Sequence, residues 1–292
     1  MRILVIGGSG MLGHKLVQLW QNRFDVWTTL KGAFEDYERL GIYKKNQTFD
    51  KIDIENFGVI ENTIKGVKPD VIFNAVGIIK QLPSSKNVIK TLTVNSIFPH
   101  RLAEIVETNG ARLINISTDC VFDGKKGNYN EEDISNATDV YGKSKNLGEV
   151  VGENCLTLRT SIIGREIRTN HSLVEWFLCN RGRKVKGFVN AVYTGFPTIV
   201  LAGIIGDLIE SHKDLCGLYH VSADPINKYE LLKLINEAYR AKVEIEPFED
   251  FRIDRSLDCS KFKAATGFKA DSWREMIRRM AEDETPYDKW RK

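Results

Sequence analysis

The chain has 292 residues, of which 42% are hydrophobic and 28% charged, and its formal net charge is +3. These values are ordinary for a soluble globular protein with a substantial buried core, and so small a charge argues against a nucleic-acid polymer as partner. The longest apolar run, residues 198–205, is too short to span a bilayer, and the start has no cleavable signal pattern. The five cysteines are scattered, with neither metal-ligand spacing nor a disulfide pattern. We therefore expect a cytoplasmic protein that has no membrane partner.

A glycine-rich turn lies close to the start of the chain. The apolar run Arg2–Ile6 precedes the turn at residues 7–13, and the amphipathic run His14–Asn22 follows it. Strand, tight turn and helix in this order are the context of a dinucleotide fingerprint, in which glycines let backbone N–H groups approach a pyrophosphate at the start of the helix. We therefore predict that a dinucleotide cofactor is bound by Gly7, Gly10, Met11, Leu12 and Gly13.

The second predicted strand, residues 25–30, indicates which dinucleotide is used. A site that prefers NAD usually ends this strand with an acidic residue, which binds the ribose 2′-hydroxyl. Here Lys31 follows the strand and offers a positive charge where a 2′-phosphate would sit, whereas Glu35 and Asp36 come later, in a predicted loop. The strand end therefore predicts NADPH as cofactor, with NADH as the alternative.

Strands and helices continue to alternate up to about residue 160. Apolar runs at 70–76 and 111–116 predict two more buried strands, and amphipathic segments between them predict helices. This alternation is typical of an α/β protein with a Rossmann-type doubly wound parallel sheet covered on both faces. Ligands bind beyond the carboxyl ends of such strands, so Gly77 and Thr118 are expected to face the site opened by the glycine turn.

Three side chains then suggest a proton-handling group: Thr118, Tyr141 and Lys145. A spacing of four places Tyr141 and Lys145 on one helix face, one turn apart. Reduction of a ketone needs a proton for the developing alkoxide. A nearby ammonium and the positive charge of an oxidised nicotinamide are both expected to lower the phenol pKa and to help the phenol exchange that proton. Thr118 is expected to hydrogen-bond the carbonyl oxygen. We predict that these three residues are catalytic and that Tyr141 and Lys145 also contact the cofactor.

The chain resembles the extended short-chain dehydrogenase/reductases, and within them the branch of dTDP-4-dehydrorhamnose reductase and related reductases of 4-keto-6-deoxy sugar nucleotides. The resemblance covers almost the whole chain. Its motifs are Gly7 to Gly13, Asn74-Ala-Val-Gly77, Val94-Asn95, Ser117-Thr-Asp-Cys-Val-Phe-Asp-Gly124, Tyr141-Gly-Lys-Ser-Lys145 and Leu158-Arg-Thr-Ser161.

The resemblance implies an enzyme that reduces a nucleotide-diphosphate sugar in the biosynthesis of surface polysaccharides, and it assigns further residues. Those implied to contact or support the cofactor, with Asp53 and Ile54 lining the adenine pocket, are Asp53, Ile54, Asn74, Ala75, Val76, Gly77 and Asn95. Those implied to bind the substrate are Thr118, Asp119, Ser172, Trp176, Phe188, Asn190, Tyr193 and Arg255. Arg255 is a reasonable partner for a diphosphate, because a guanidinium binds phosphate oxygens bidentately.

The chain is expected to form two units and to have no metal site. Residues 1–160, with about 196–222, would form the cofactor domain, and residues 161–195 and 223–292 a smaller C-terminal substrate-binding lobe. The polar residues 282–292 predict a partly loose tail. No histidine or carboxylate pair has metal-ligand spacing, although related reductases can use magnesium at a subunit interface. A homodimer is one expected assembly.

Two departures from the family pattern leave alternatives open. Cys120 replaces the usual aromatic residue after Ser-Thr-Asp, and the segments at 169–177 and 187–198 differ from the dTDP-rhamnose enzyme. An epimerase or dehydratase of the same superfamily uses the same three catalytic residues, but a dehydratase normally has an acid pair where Asp119 and Cys120 stand here. A non-catalytic subunit, such as the regulatory subunit of methionine adenosyltransferase, resembles this branch too, and the intact catalytic set argues against it.

Overall fold

A parallel sheet of seven strands forms the centre of the protein in the computed structural model, which describes residues 1–81 and 83–290. Its strands, named in chain order, are β1 (Arg2–Ile6), β2 (Asp25–Thr29), β3 (Thr48–Phe49), β4 (Val71–Asn74), β5 (Arg112–Thr118), β6 (Cys155–Thr160) and β10 (Gly217–His220). Their spatial order is β10-β6-β5-β4-β1-β2-β3, and every neighbouring pair is parallel. The prediction of a doubly wound α/β fold is confirmed.

Helices cover both faces of this sheet. They are α1 (Met11–Trp20), α3 (Phe57–Val67), α5 (Phe98–Asn109), α6 (Val140–Leu147) and α8 (Thr198–Ser211). Side chains of β1 alternate between two cores: Ile3 and Val5 pack with α1 and α8, and Leu4 and Ile6 pack with α3 and α5. Because both faces of β1 are buried, every residue of the strand that faces a core is apolar, and the sequence shows an unbroken apolar run.

A second, three-stranded sheet lies in the C-terminal half. It consists of β8 (Lys184–Tyr193), β11 (Ile226–Asn227) and β12 (Glu244–Asp254) in the order β11-β8-β12. α9 (Lys228–Tyr239) packs on β8, where a Cβ on Gly187 would lie 2.6 Å from the Tyr229 ring. The two long strands were not predicted from the sequence, because polar residues occupy most of β12 and eight of its residues are paired to a strand about 60 positions earlier.

The other strands and α-helices of the described residues each have fewer than ten residues. They are β7 (Ile162–Ile163), β9 (Phe196–Pro197), α2 (Glu35–Glu38), α4 (Val88–Leu92), α7 (Leu173–Leu178), α10 (Ser260–Thr266), α11 (Trp273–Ala281) and α12 (Tyr287–Trp290). Within the described part of the chain, no helix is both long and apolar enough to cross a membrane.

Residues 282–290 are not the loose tail that their polarity predicted. Tyr287 and Trp290 are only 2% and 6% exposed. The Nζ atom of Lys15, a residue of α1, donates to Asp283 Oδ2 at 2.6 Å, and both side chains are largely buried. The segment is therefore fastened to the helix that follows the glycine turn. Polarity was a poor guide here because two aromatic rings and one buried ion pair decide the packing.

Candidate active site

The glycine turn joins the carboxyl end of β1 to the start of α1. Gly7 has a φ of +90°, a conformation that suits glycine, and Gly10 N donates to Gly7 O at 3.1 Å. A Cβ on Gly13 would lie 2.1 Å from Gly7 O, so α1 approaches the turn more closely than a side chain would permit. Gly10 precedes the helix without a side-chain cap, and Met11 and Leu12 form its first turn. Uncapped N–H groups beside such a turn fit a pyrophosphate.

The end of β4 packs against this turn. A Cβ on Gly7 would lie 2.8 Å from Val76 Cγ2 and 3.3 Å from the carbonyl carbon of Ala75. The Asn74 side chain accepts a hydrogen bond from Val76 N at 3.1 Å. The structure therefore brings the Asn74–Gly77 segment and the glycine turn together at the carboxyl edge of the sheet.

Asn95 supports the same segment from the helical turn that precedes α5. Its side chain accepts from Ile78 N at 2.8 Å and donates to Ile78 O at 3.0 Å, and it also donates to Ser144 Oγ of α6 at 3.1 Å. Two further residues of the predicted cofactor site lie between β3 and α3. Asp53 is exposed and accepts from the next-but-one backbone N–H, and Ile54 packs partly buried against the α3–α5 core.

The surroundings of Lys31 differ from the sequence-based expectation in one respect. Lys31 is exposed just after β2, as expected. Asp36, however, lies in the short helix α2, and its Oδ2 is 3.2 Å from the position of a Cβ on Gly32. The fold therefore returns an acidic side chain to the neighbourhood of the strand end, where the sequence order had indicated none.

The predicted catalytic residues meet where β5 ends and α6 begins. Thr118, the last residue of β5, donates from Oγ1 to Asp119 Oδ1 at 3.1 Å and accepts from Cys120 N at 3.2 Å. Tyr141, in the first turn of α6, lies near the Thr118 side chain. Lys145 is one turn further on, 6% exposed, and donates from Nζ to Ile116 O of β5 at 2.6 Å.

The pKa values of these groups correct one expectation. Burial, together with the Cys120 thiol, raises the pKa of Tyr141 well above its ordinary value, and the nearby Thr118 side chain only partly opposes the rise. Burial lowers the pKa of Lys145 from 10.5 to about 8, against the opposing effect of Glu149. The sequence had suggested that Lys145 lowers the pKa of the phenol. In the protein without its cofactor, the pKa of the phenol is raised instead. The neutral phenol is instead the form that can donate a proton.

The substrate-binding candidates Arg255 and Tyr193 lie beside the catalytic group. Arg255 donates from Nε to Phe122 O at 2.7 Å, and its Nη1 is 3.8 Å from Cys120 Sγ. Tyr193 is 7% exposed, and its hydroxyl, near Asp119 and Cys120, is a buried polar atom without a hydrogen-bond partner among the described residues. An orphaned hydroxyl at this place is a natural partner for a polar group of a ligand.

The other substrate-binding candidates lie further along the lobe. Ser172 precedes α7 and donates to Gly164 O at 3.1 Å, and Trp176 on the same helix is 40% exposed. Phe188 and Asn190 lie on β8, where Phe188 contacts two phenylalanines of β12 and Asn190 donates to Glu249 O at 2.9 Å. The structure gives these four residues no contact with Thr118, Tyr141 or Lys145 that would assign them a role.

Two charged pairs near the site were missed by sequence reasoning. Lys80 Nζ is 2.6 Å from Asp139 Oδ2 and 6.0 Å from the centre of the Tyr141 ring. Asp139 also caps α6 by accepting from Gly142 N at 3.0 Å, and an aspartate just before a helix was a readable signal. The second pair, Glu149 with Arg159, lies buried beneath the catalytic residues. The sequence indicated this pair by its spacing, because Glu149 follows Lys145 by four residues, as Lys145 follows Tyr141.

Fold and site together define a class of protein: a nicotinamide-dependent oxidoreductase with a Rossmann-type sheet, a glycine turn and a Thr–Tyr–Lys group at its carboxyl edge. The chain belongs to the RmlD substrate-binding domain family of extended short-chain dehydrogenase/reductases, whose family model matches residues 1–285. The sequence-based predictions of family, fold and NAD(P)H-dependent enzyme class are confirmed at this level.

Known proteins similar to the chain include reductases and a subunit of a methionine adenosyltransferase. It is 26% identical to a dTDP-4-dehydrorhamnose reductase of Aggregatibacter actinomycetemcomitans, over 95% of this chain and 97% of that protein. It is 25% identical to the methionine adenosyltransferase 2 subunit beta of Mus musculus, over 94% of this chain and 88% of that protein. The crystal structure of a dTDP-4-dehydrorhamnose reductase from Bacillus anthracis str. Ames in complex with NADP has the same fold, with a TM-score of 0.79 and 22% identity over 96% of this chain and 98% of that one.

Proposed function

We propose that the protein uses NADPH to reduce the ketone of a nucleotide-linked 4-keto-6-deoxy sugar in nucleotide-sugar biosynthesis. One observation carries the proposal: the Tyr141 phenol lies near the Thr118 side chain, while Lys145 is one helical turn away and donates to the same strand. The similarity to dTDP-4-dehydrorhamnose reductase over nearly the full length of both proteins supports the substrate class.

The residues that would hold the cofactor fit it by their backbone. The turn Gly7–Gly13 would bind the pyrophosphate through N–H groups, and the segment Asn74–Gly77, braced by Asn95, would form the adjoining wall. When bound, the nicotinamide supplies the hydride that is added to the carbonyl carbon. Lys145, buried one turn after Tyr141, would donate hydrogen bonds to the nicotinamide ribose.

Proton transfer is assigned to Tyr141. Because burial keeps its phenol neutral at physiological pH, Tyr141 can give its proton to the carbonyl oxygen as negative charge develops there. Thr118 would hydrogen-bond the same oxygen and stabilise that charge. The phenolate that remains after the transfer would be stabilised by the Lys145 ammonium.

The substrate is proposed to lie between the two sheets, with residues 161–195 and 223–292 as the substrate-binding lobe. The Arg255 guanidinium, next to Cys120, would bind the diphosphate, and the unpaired hydroxyl of Tyr193 would accept or donate a hydrogen bond at the sugar. Phe188 and Asn190 would contact the nucleoside end of the substrate.

The test is an assay of purified protein with NADPH and a panel of 4-keto-6-deoxy nucleotide sugars that differ in base and sugar. We expect consumption of NADPH with at least one of them and a product with a new hydroxyl at C4. Failure with every member of the panel, in protein shown to bind NADPH, would contradict the proposed reaction.

The likeness to methionine adenosyltransferase 2 subunit beta supports a second candidate, a non-catalytic regulatory subunit. This candidate predicts that the protein binds NADPH, leaves every sugar of the panel unchanged and alters the activity of a methionine adenosyltransferase. Thr118, Tyr141 and Lys145 would then have no chemical role, which is why their close arrangement favours the reductase.

A further inference from the structure

Three residues at four-residue intervals dock the α6 segment onto the end of β5. Tyr141 lies near the Thr118 side chain, Lys145 donates to Ile116 O, and Glu149 accepts from Ser117 Oγ at 2.6 Å. The partners are three consecutive residues of one strand. The Glu149 contact therefore falls on the strand residue between those that Tyr141 and Lys145 approach.

Glu149 is bound on all sides. Its Oε1 accepts from Arg159 Nε of β6 at 2.7 Å, and its Oε2 accepts from Arg159 Nη2 at 2.7 Å and from Asn146 Nδ2 of α6 at 3.1 Å. The side chains of Glu149 and Arg159 are only 7% and 4% exposed. One carboxylate therefore ties together β5, β6 and the helix that presents Tyr141 and Lys145.

The backbone around Glu149 is fixed as well. Gly148, which ends α6, lies so close to the neighbouring helical turn that a Cβ would be 1.9 Å from Asn95 O. The Gly148 carbonyl accepts from Asn115 Nδ2 of β5 at 3.0 Å. Because the chain is held at this point, Glu149 cannot shift without moving either β5 or α6.

We propose that Glu149 is a positioning residue of the reaction, which keeps Thr118 in register with Tyr141 and keeps Lys145 in its charged form. The inference rests on the proposed reductase function and deepens it. The carboxylate touches neither cofactor nor substrate; it acts through the strand and through the ammonium.

Among the described residues, few other charged groups face Glu149 and Lys145. Glu149 raises the pKa of Lys145, against the burial that lowers it to about 8. Arg159, which neutralises Glu149, also donates from Nη1 to His220 Nε2 of β10 at 3.2 Å. Burial and the Arg159 charge lower the pKa of His220 to about 4, so that ring is neutral near pH 8. Loss of the Glu149 charge should therefore lower the pKa of Lys145, and among the described residues we expect this effect at Lys145 alone.

The experiment compares wild type with Glu149→Gln, which removes the charge and keeps the shape, and Glu149→Asp, which keeps the charge and shortens the reach. The first readout is the titration of the Lys145 side chain by ¹³C NMR in cofactor-free protein, assigned by its loss in Lys145→Met. We expect the midpoint in Glu149→Gln to fall by about one pH unit, and that in Glu149→Asp to stay close to wild type.

The second readout is steady-state kinetics. We expect kcat to fall about tenfold in both variants while KM for the sugar nucleotide and Kd for NADPH stay within about threefold, because the aligned transition state is affected more than binding. A merely structural role would lower thermal stability and leave both kcat of the folded protein and the Lys145 midpoint unchanged, which would overturn the inference.

A lone buried Arg159 could prevent Glu149→Gln from folding. The double variant Glu149→Gln/Arg159→Gln, whose neutral amides can pair, then provides the kinetic readout, and a wild-type kcat in it would overturn the inference. Because the titration needs no substrate, an inactive wild type with a shifted Glu149→Gln midpoint would count against the proposed reaction and would support the electrostatic part of the inference.

Discussion

Two helices that begin beyond the carboxyl edge of the central sheet, α1 and α6, contribute to the site in opposite ways. α1 starts after Gly10 with no side-chain cap, so it offers main-chain N–H groups. α6 starts with an aspartate cap and presents the side chains of Tyr141 and Lys145 to β5. α1 is moreover bonded to the distant C-terminal segment, whereas α6 is bonded through Lys145 to the strand beside it.

This difference separates two kinds of sequence constraint. A main-chain site restricts a position by leaving no room for a side chain, as at Gly13. A side-chain site restricts a position by its chemistry, as at Tyr141. A mutation in α1 should therefore act through geometry and binding, and one in α6 through the chemical step, and the following expectations test that division.

The largest effect is expected for Tyr141→Phe. The substitution removes the proton donor and keeps the ring, so fold and NADPH affinity should stay close to wild type while kcat falls by about 100-fold or more. Steady-state kinetics and NADPH titration measure the two quantities. Turnover within about threefold of wild type would mean that another group donates the proton.

Gly13→Ala should give the opposite pattern. Its Cβ would meet Gly7 O at 2.1 Å, and because this neighbour is backbone the turn must open. We expect Kd for NADPH to rise about tenfold or more and the free energy of unfolding to fall by about 2–3 kcal/mol. Gly66→Ala in α3 is the matched control, since nothing lies within 4 Å of its Cβ. Equal affinities in the two variants would contradict a main-chain site.

The same division explains what the sequence could predict. The glycine turn and the Tyr141–Lys145 spacing are local patterns with a physical reason, and both were readable. The packing of Tyr287 on α1 and the return of Asp36 to the end of β2 depend on contacts between distant or irregular segments. The long strands β8 and β12 were missed for a related reason, because β12 is mostly polar and pairs with a strand about 60 positions earlier.

The dependence of the rate on pH should separate the contribution of α6 from that of α1. Lys145 has a pKa lowered to about 8, so it is charged below that pH and neutral above it, while the raised pKa of Tyr141 keeps the phenol protonated throughout. We expect kcat/KM for ketone reduction to fall about tenfold per unit as pH rises beyond about 8. NADPH binding through the main chain of α1 should change much less. A flat rate between about pH 7 and pH 9.5 would contradict a role for the Lys145 charge.

Arg255→Ala should test the substrate side of the comparison. Its guanidinium lies next to Cys120, and a diphosphate contact remote from the ketone stabilises ground and transition states alike. We expect KM for the sugar nucleotide to rise about five- to tenfold with kcat little changed. Arg252→Ala, an exposed arginine three positions earlier on β12, should have no such effect. An unchanged KM in Arg255→Ala would place the diphosphate elsewhere.

The smallest effect is expected at the end of β2, where cofactor choice depends on two opposing side chains. Lys31 would attract a 2′-phosphate, whereas Asp36, which the fold returns to Gly32, would repel it and accept from a ribose 2′-hydroxyl. We expect NADPH to have the higher kcat/KM in wild type, with a preference that is moderate because an ammonium lacks the forked geometry of a guanidinium. Lys31→Ala should narrow the gap about threefold and Asp36→Asn should widen it by a similar factor, as expected for exposed charge contacts worth about 0.5–1 kcal/mol.

Specificity constants for both cofactors measure these shifts, and Lys213→Ala, at an exposed lysine of the loop between α8 and β10, is the control for a general change of charge. Movement of the two variants in opposite directions would locate the 2′-position between Lys31 and Asp36. If the wild type prefers NADH and Lys31→Ala does not change this preference, Asp36 determines the choice of cofactor. The glycine turn would still bind the pyrophosphate in that case, because the binding by Gly7 and Gly13 does not depend on Lys31 or Asp36.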